Sequence, residues 1–81
     1  MIHKIKTKQE LALLLVTAER KPSIATINTL RAIYTGMYSA SSIKAKLKQF
    51  EARPYFKLEN GCLRLIKPLQ VEFDNKIYFI E

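Results

Sequence analysis

Lysines occupy every second position in part of the stretch SASSIKAKLKQF, and their ammonium groups are suited to binding phosphates and other anions. The three are Lys44, Lys46 and Lys48. Two residues of α-helix turn the chain by about 200°, so alternate lysines of a helix lie on opposite flanks of it. A helix in the major groove of DNA has a phosphate strand on each side. These lysines therefore suit a duplex if the stretch is helical.

The apolar residues of this stretch have helical spacing. Ile43, Leu47 and Phe50 cluster on one side of a helical projection. Ser39 or Ser41 can cap the helix. The opposite side carries small and polar residues, which let a helix backbone approach a partner closely. We expect this face to make the direct contacts, through Ser41, Ser42, Lys44, Ala45, Lys48 and Gln49.

The net charge of +7 is unevenly distributed along the chain. Residues 1–22 carry five basic and two acidic side chains, residues 23–54 carry five and one, and residues 55–81 carry four and four. The excess positive charge lies wholly in the first two segments. This asymmetry favours a polyanionic partner, nucleic acid first, with an acidic protein or an anionic membrane as alternatives.

The sequence contains no recognisable catalytic or metal-binding motif. His3 is the only histidine and Cys62 the only cysteine, and no glycine-rich phosphate loop or Cys/His metal spacing is present. We therefore expect a protein that is not an enzyme and needs no cofactor. A single cysteine suits the reducing cytoplasm. The apolar run near the N-terminus is too short to span a bilayer, so no membrane-spanning segment is expected.

Helix signals dominate the first two-thirds of the chain. The capping box Thr7–Glu10 predicts the start of a first helix, which Pro22 ends. Ser23 predicts the start of a second helix, and Gly36 its end. The third helix, described above, is expected to end before Pro54.

Two hairpins are predicted beyond the helices. Asn60–Gly61 is the strongest short hairpin signal, because a type I′ turn requires positive φ at both central residues. This turn pairs Leu58 with Leu63 and Phe56 with Leu65, which puts four apolar side chains on one face.

The second predicted hairpin follows Pro68. A three-residue loop, Asp74–Lys76, places Val71 opposite Phe79 and Phe73 opposite Ile77, so that these four apolar residues share one face. The expected fold is therefore a single α+β domain, residues 1–81, with three N-terminal helices followed by a β-hairpin wing and a second C-terminal hairpin.

This order of elements resembles the winged helix-turn-helix family. The resemblance is carried by residues 29–66: Ala32 and Gly36 four residues apart, the S-x-x-S-I-K-x-x-L pattern of Ser39–Leu47, and the strand-turn-strand in FEARPYFKLENGCLRLI. Two features depart from the family pattern. The turn before Ile43 is one residue longer, and the last hairpin is not part of the minimal motif.

The resemblance implies a winged-helix-like, DNA-binding protein, a transcriptional regulator or accessory factor with its third helix in the major groove and its hairpin wing alongside. The wing tip contributes Asn60 and Gly61, and Lys57 and Arg64 lie opposite each other on its polar face. These like charges suit a phosphate between them, unless Glu59 compensates them. The further residues predicted to contact DNA are Arg31, Tyr38, Lys46 and Arg53.

Other partners stay open. The fold can serve as an adaptor or inhibitor that docks on an acidic protein through the last hairpin, including Tyr78. Leu13 and Val16 lie opposite the main apolar stripe of the first helix. They either pack beneath the N-terminal strand or the last hairpin, or they form the interface of a homodimer. The C-terminal hairpin is the other surface through which a homodimer can form. RNA binding is supported by charge alone.

Overall fold

The computed structural model describes residues 1–81 and contains three helices and six strands. In order they are β1 Ile2–Lys4, α1 Lys8–Glu19, β2 Ile24–Ala25, α2 Ile27–Ile33, α3 Ala40–Gln49, a 3-10 turn Phe50–Ala52, β3 Phe56–Glu59, β4 Cys62–Leu65, β5 Leu69–Phe73 and β6 Lys76–Ile80. The protein is α+β. The predicted order, a winged-helix-like arrangement with three N-terminal helices first, is wrong, because β1 precedes α1 and β2 separates α1 from α2.

The strands form two three-stranded sheets. One has the order β1-β5-β6, in which β1 runs parallel to β5 and β6 antiparallel to it. The other has the order β2-β4-β3 and is antiparallel throughout. Both sheets therefore join the N-terminal part of the chain to strands that come more than 30 residues later.

The strands β1 and β2 are short and depend on distant partners. Ile2 pairs with Gln70, and Ile24 pairs with Arg64. The predicted helix start at Ser23 is wrong, because the next two residues enter the sheet and Thr26 caps α2 instead. The weak alternation of residues 1–6 indicates a short edge strand, which β1 confirms. β2 has only two residues, too few to show a pattern in the sequence.

The start of α1 is confirmed, but only half of the predicted capping box forms. The Thr7 hydroxyl accepts a hydrogen bond from the Glu10 backbone N–H at 3.2 Å. The Glu10 carboxylate does not return to Thr7 and instead bonds to Arg53 and Tyr55. The Glu10 side chain therefore does not cap its own helix and instead contacts the segment that follows α3.

All three helices contribute to one core. Its fully buried aliphatic side chains include Leu14, Leu30 and Leu63, each contributing about 1.5–3 kcal/mol through burial. Leu13 is also fully buried, whereas Val16 is 41% exposed. Leu13 therefore packs within its own chain, one of the two alternatives predicted for it, and only Val16 of this pair is exposed.

The Asn60–Gly61 hairpin is confirmed with its register. Leu58 pairs with Leu63 and Phe56 with Leu65. The turn residues have φ values of 52° and 74°, the positive values that a type I′ turn requires.

The loop predicted for the second hairpin is wrong. Asp74 and Asn75 form a two-residue turn, with φ values of 52° and 63°, and Phe73 pairs with Lys76. Asp and Asn tolerate this left-handed conformation better than other non-glycine residues. The shorter loop moves β6 by one residue, so Ile77 and Phe79 point to the outer face.

We expect Gly36→Ala to lower the free energy of unfolding by about 1–2 kcal/mol, the cost of a left-handed L-residue. Gly36 has a φ of +76°, and a Cβ added there meets nothing within 4 Å, so the cost is conformational rather than steric. Urea unfolding measures it. Gly36→Asn is the matched control and should lose less, because Asn tolerates this region. Equal stability of the alanine variant and the wild type would contradict the assignment.

Candidate nucleic-acid interface

Helix α3 is held by a cap at its start and an apolar stripe along its length. The Ser39 hydroxyl accepts from the Ser42 backbone N–H at 3.3 Å. Ile43, Leu47 and Phe50 are all buried, as their spacing predicted. The helix therefore presents its opposite side to solvent.

The exposed side of α3 forms a stripe, defined by Ser41, Lys44, Ala45 and Lys48. These residues lie at helical spacing on one face, and all four are exposed. None of the ion pairs in the protein involves a lysine of α3. Lys44 and Lys48, one turn apart, repel each other, and neither forms an ion pair, although Glu51 follows Lys48 by three residues. Ser42 and Gln49 are exposed beside the stripe.

Lys46 has a different environment on the flank of α3. Its Nζ lies 5.3 Å from the ring centroids of Tyr34 and Tyr38 and 5.8 Å from that of Phe50. Cation–π attraction of this kind holds an ammonium group against ring faces. Lys46 is therefore a half-buried, positioned positive charge, whereas Lys44 and Lys48 project freely.

Arg31 and Tyr38 lie close to the start of α3. They line a cleft of about 270 Å³ together with Tyr34, Ala40 and Ile43. The Tyr34 and Tyr38 rings pack edge to face, with centroids 5.5 Å apart. The structure thus brings two of the predicted contact residues next to the start of α3.

Arg53 is engaged within the protein. Its Nε donates to Glu10 Oε2 at 3.0 Å and its Nη2 to Glu10 Oε1 at 3.1 Å. The Tyr55 hydroxyl donates to the same carboxylate, which is almost fully buried. The hydrogen bond to Glu10 raises the pKa of Arg53 above its usual value. Arg53 therefore serves mainly to neutralise a buried charge.

The hairpin charges are also compensated internally. Lys57 pairs with Arg64 across the strands, as predicted. Glu59 accepts from Arg64 Nε at 2.7 Å and lies 3.7 Å from Lys57 Nζ, so it forms an ion pair with each of them and offsets part of their charge. The hydrogen bond from Arg64 lowers the pKa of Glu59. No phosphate is needed to hold Lys57 and Arg64 together, and Asn60–Gly61 remains exposed at the hairpin tip.

The structure adds basic residues that sequence reasoning missed. Lys4 and Lys6 lie with Arg53 along an open groove of about 390 Å³, next to the edge-to-face pair of His3 and Tyr55. The positive charge of the N-terminal segment was visible in the sequence. Its position beside Arg53 was not, because it depends on the pairing of β1 with β5.

Comparisons with protein-family models, with curated proteins and with solved structures give no match. The winged helix-turn-helix resemblance and the partner assignments therefore stay predictions. None of the three helices has the length and apolarity that crossing a membrane requires.

We expect Arg53→Ala to destabilise the protein by about 2–4 kcal/mol, because it leaves the buried Glu10 carboxylate without its cation. Tyr55→Phe should cost about 1 kcal/mol, since Glu10 then keeps its arginine. Chemical unfolding of both variants measures the difference. If Tyr55→Phe destabilised the protein more than Arg53→Ala, the Tyr55 hydroxyl and not the Arg53 guanidinium would be the main partner that stabilises this carboxylate.

Stability should fall in alkali. Burial, followed by the charge of Glu10, raises the pKa of Tyr34 to about 12, and burial also raises the pKa of Tyr55. Tyrosines of the unfolded chain have a pKa near 10, so unfolding above this pH releases protons. The free energy of unfolding therefore falls as the pH rises, by about 1.4 kcal/mol per pH unit for each tyrosine. Unfolding midpoints between about pH 9 and pH 12 measure the slope. Tyr34→Phe should flatten it, and an unchanged slope would contradict this origin.

Proposed function

We propose that this protein binds double-stranded DNA through α3, as a transcriptional regulator or accessory factor. The observation that carries the proposal is the α3 stripe, where Lys44 and Lys48 project one turn apart between small residues with no acidic partner. Two adjacent phosphates are the kind of ligand that removes this repulsion. The resemblance of residues 29–66 to winged helix-turn-helix domains supports the same partner.

The ion pairs of the protein engage only part of its positive charge. Arg53, Lys57 and Arg64 each pair with a carboxylate of the same chain. Lys44, Lys48 and nearby Arg31 do not, and neither do the basic residues of the N-terminal segment, so the α3 stripe is one of two regions with an excess of unpaired positive charge. The small side chains of the stripe allow a helix to enter the major groove closely.

The proposed contacts divide by role. Lys44 and Lys48 bind phosphates and supply affinity, whereas Ser41 and Gln49 carry the hydrogen-bonding groups that can read base edges. Lys46, held by aromatic rings, contributes a fixed charge on one flank. Tyr38 and Arg31 border the start of the helix, where a phosphate strand would pass.

We expect Lys44→Glu with Lys48→Glu to weaken duplex binding by more than about tenfold and to reduce the salt slope by about 2, one unit for each lost phosphate contact. Titration of a labelled duplex over a salt series measures both. The matched control is Lys8→Glu with Lys21→Glu, which makes the same charge change at two exposed lysines outside α2 and α3.

The control variant should retain the wild-type salt slope. Equal losses in both double variants would mean that net charge, not the α3 stripe, governs binding. If the wild type binds polyglutamate as tightly as the duplex, the partner is better described as an acidic protein surface, since polyglutamate carries charge but no groove.

A further inference from the structure

Strand β6 has a free backbone edge. Its only strand partner is β5, and Phe73 and Lys76 flank the two-residue turn between them. The pair next to such a turn exchanges hydrogen bonds, and bonded and non-bonded pairs alternate from there. The N–H and C=O groups of Ile77 and Phe79 therefore point away from β5, and no other segment bonds to them.

The side chains of the same two residues are exposed. Ile77 is 59% and Phe79 60% exposed, because the shorter turn places them on the outer face of the sheet. β6 thus combines unpaired backbone groups with apolar side chains at the same positions.

The other sheet edges are better protected. β1 has three residues and carries Lys4, and β2 has only two residues. β3 carries Lys57 and Glu59. Short strands and charges of this kind discourage edge pairing. β6 has five residues paired without a bulge, no proline and no charge after Lys76, so it is the edge most suited to pairing.

We propose that β6 pairs antiparallel with β6 of a second copy, around a two-fold axis at Tyr78. In this register Ile77 of each chain lies opposite Phe79 of the other. Their outward N–H and C=O groups then form four hydrogen bonds, and the two sheets become one six-stranded sheet. The exposed Ile77 and Phe79 side chains pack against each other across the axis. Because the same strand serves both sides, the contact is self-complementary, as two-fold symmetry requires.

The charge distribution favours a second copy as the occupant. Residues 55–81 carry four basic and four acidic side chains, whereas the rest of the chain carries the whole excess of +7. Two copies can therefore approach through this region without the repulsion that their basic segments would cause. In the proposed register Lys76 faces Ile80 and lies next to Glu81 of the other copy, so no like charges meet. The proposal does not rest on DNA binding.

Sedimentation equilibrium of the whole chain tests the dimer. The wild type should have the mass of two chains. Phe79→Lys and Phe79→Pro should have the mass of one, since the first puts a charge in the apolar contact and the second removes an outward N–H that no bond within the chain uses. Val16→Lys is the matched control, because Val16 is an exposed apolar residue on α1 rather than on β6, and it should remain dimeric.

A monomeric wild type at every soluble concentration would overturn the proposal, as would a dimer that persists in both Phe79 variants. A monomer that captures an extended peptide at this edge would also overturn it, because the occupant would then be a different chain.

Disulfide trapping tests the register in a Cys62→Ser background. Hydrogen-bonded antiparallel pairs have Cα atoms about 5.5 Å apart, within the range a disulfide spans. Mixing Ile77→Cys chains with Phe79→Cys chains should give a crosslinked dimer on oxidation. Either variant alone should crosslink far less, because identical residues of the two copies lie farther apart. Equal crosslinking in all three samples would overturn the register.

Discussion

The buried carboxylate of Glu10 is the constraint on which the arrangement of the helices depends. It lies in the first turn of α1, yet its partners are Arg53 and Tyr55, more than 40 residues later. A carboxylate so nearly excluded from water is tolerated only with a cation and hydrogen-bond donors around it. This requirement ties the start of α1 to the segment that follows α3. The end of α3, and with it the direction of its exposed side, is thereby fixed against α1.

The pairing of carboxylates with basic side chains also determines which positive charges have no partner within the chain. Glu10 engages Arg53, and Glu59 engages Lys57 and Arg64, so the wing-like hairpin and the end of α3 contribute little uncompensated charge. Lys44 and Lys48 have no such partner, and neither do the basic residues of the N-terminal segment. The excess of unpaired positive charge therefore lies in the first two-thirds of the chain, on the N-terminal segment and on α2 and α3.

Two hairpins with similar turns have opposite consequences for burial. At Asn60–Gly61 the two-residue turn puts Leu63 and Leu65 into the core. At Asp74–Asn75 the same turn length turns Ile77 and Phe79 outward. The difference comes from where the apolar residues fall relative to the turn, because a shift of one residue exchanges the two faces of a strand. The second hairpin leaves an apolar surface that its own chain does not cover.

The sequence by itself determined the features whose cause is local. A threonine cap begins α1, the spacing of Ile43 and Leu47 decides which side of α3 is buried, and Asn60–Gly61 sets both turn and register. Tertiary structure decided what depends on distant partners. β1 and β2 exist as strands only because β5 and β4 supply their hydrogen bonds, and Glu10 abandons its helix cap because an arginine 43 residues away offers a stronger, charged partner. Local sequence patterns determine helical periodicity and turn geometry. The partners of buried charges and the positions of short strands depend on contacts between segments that are distant in the sequence.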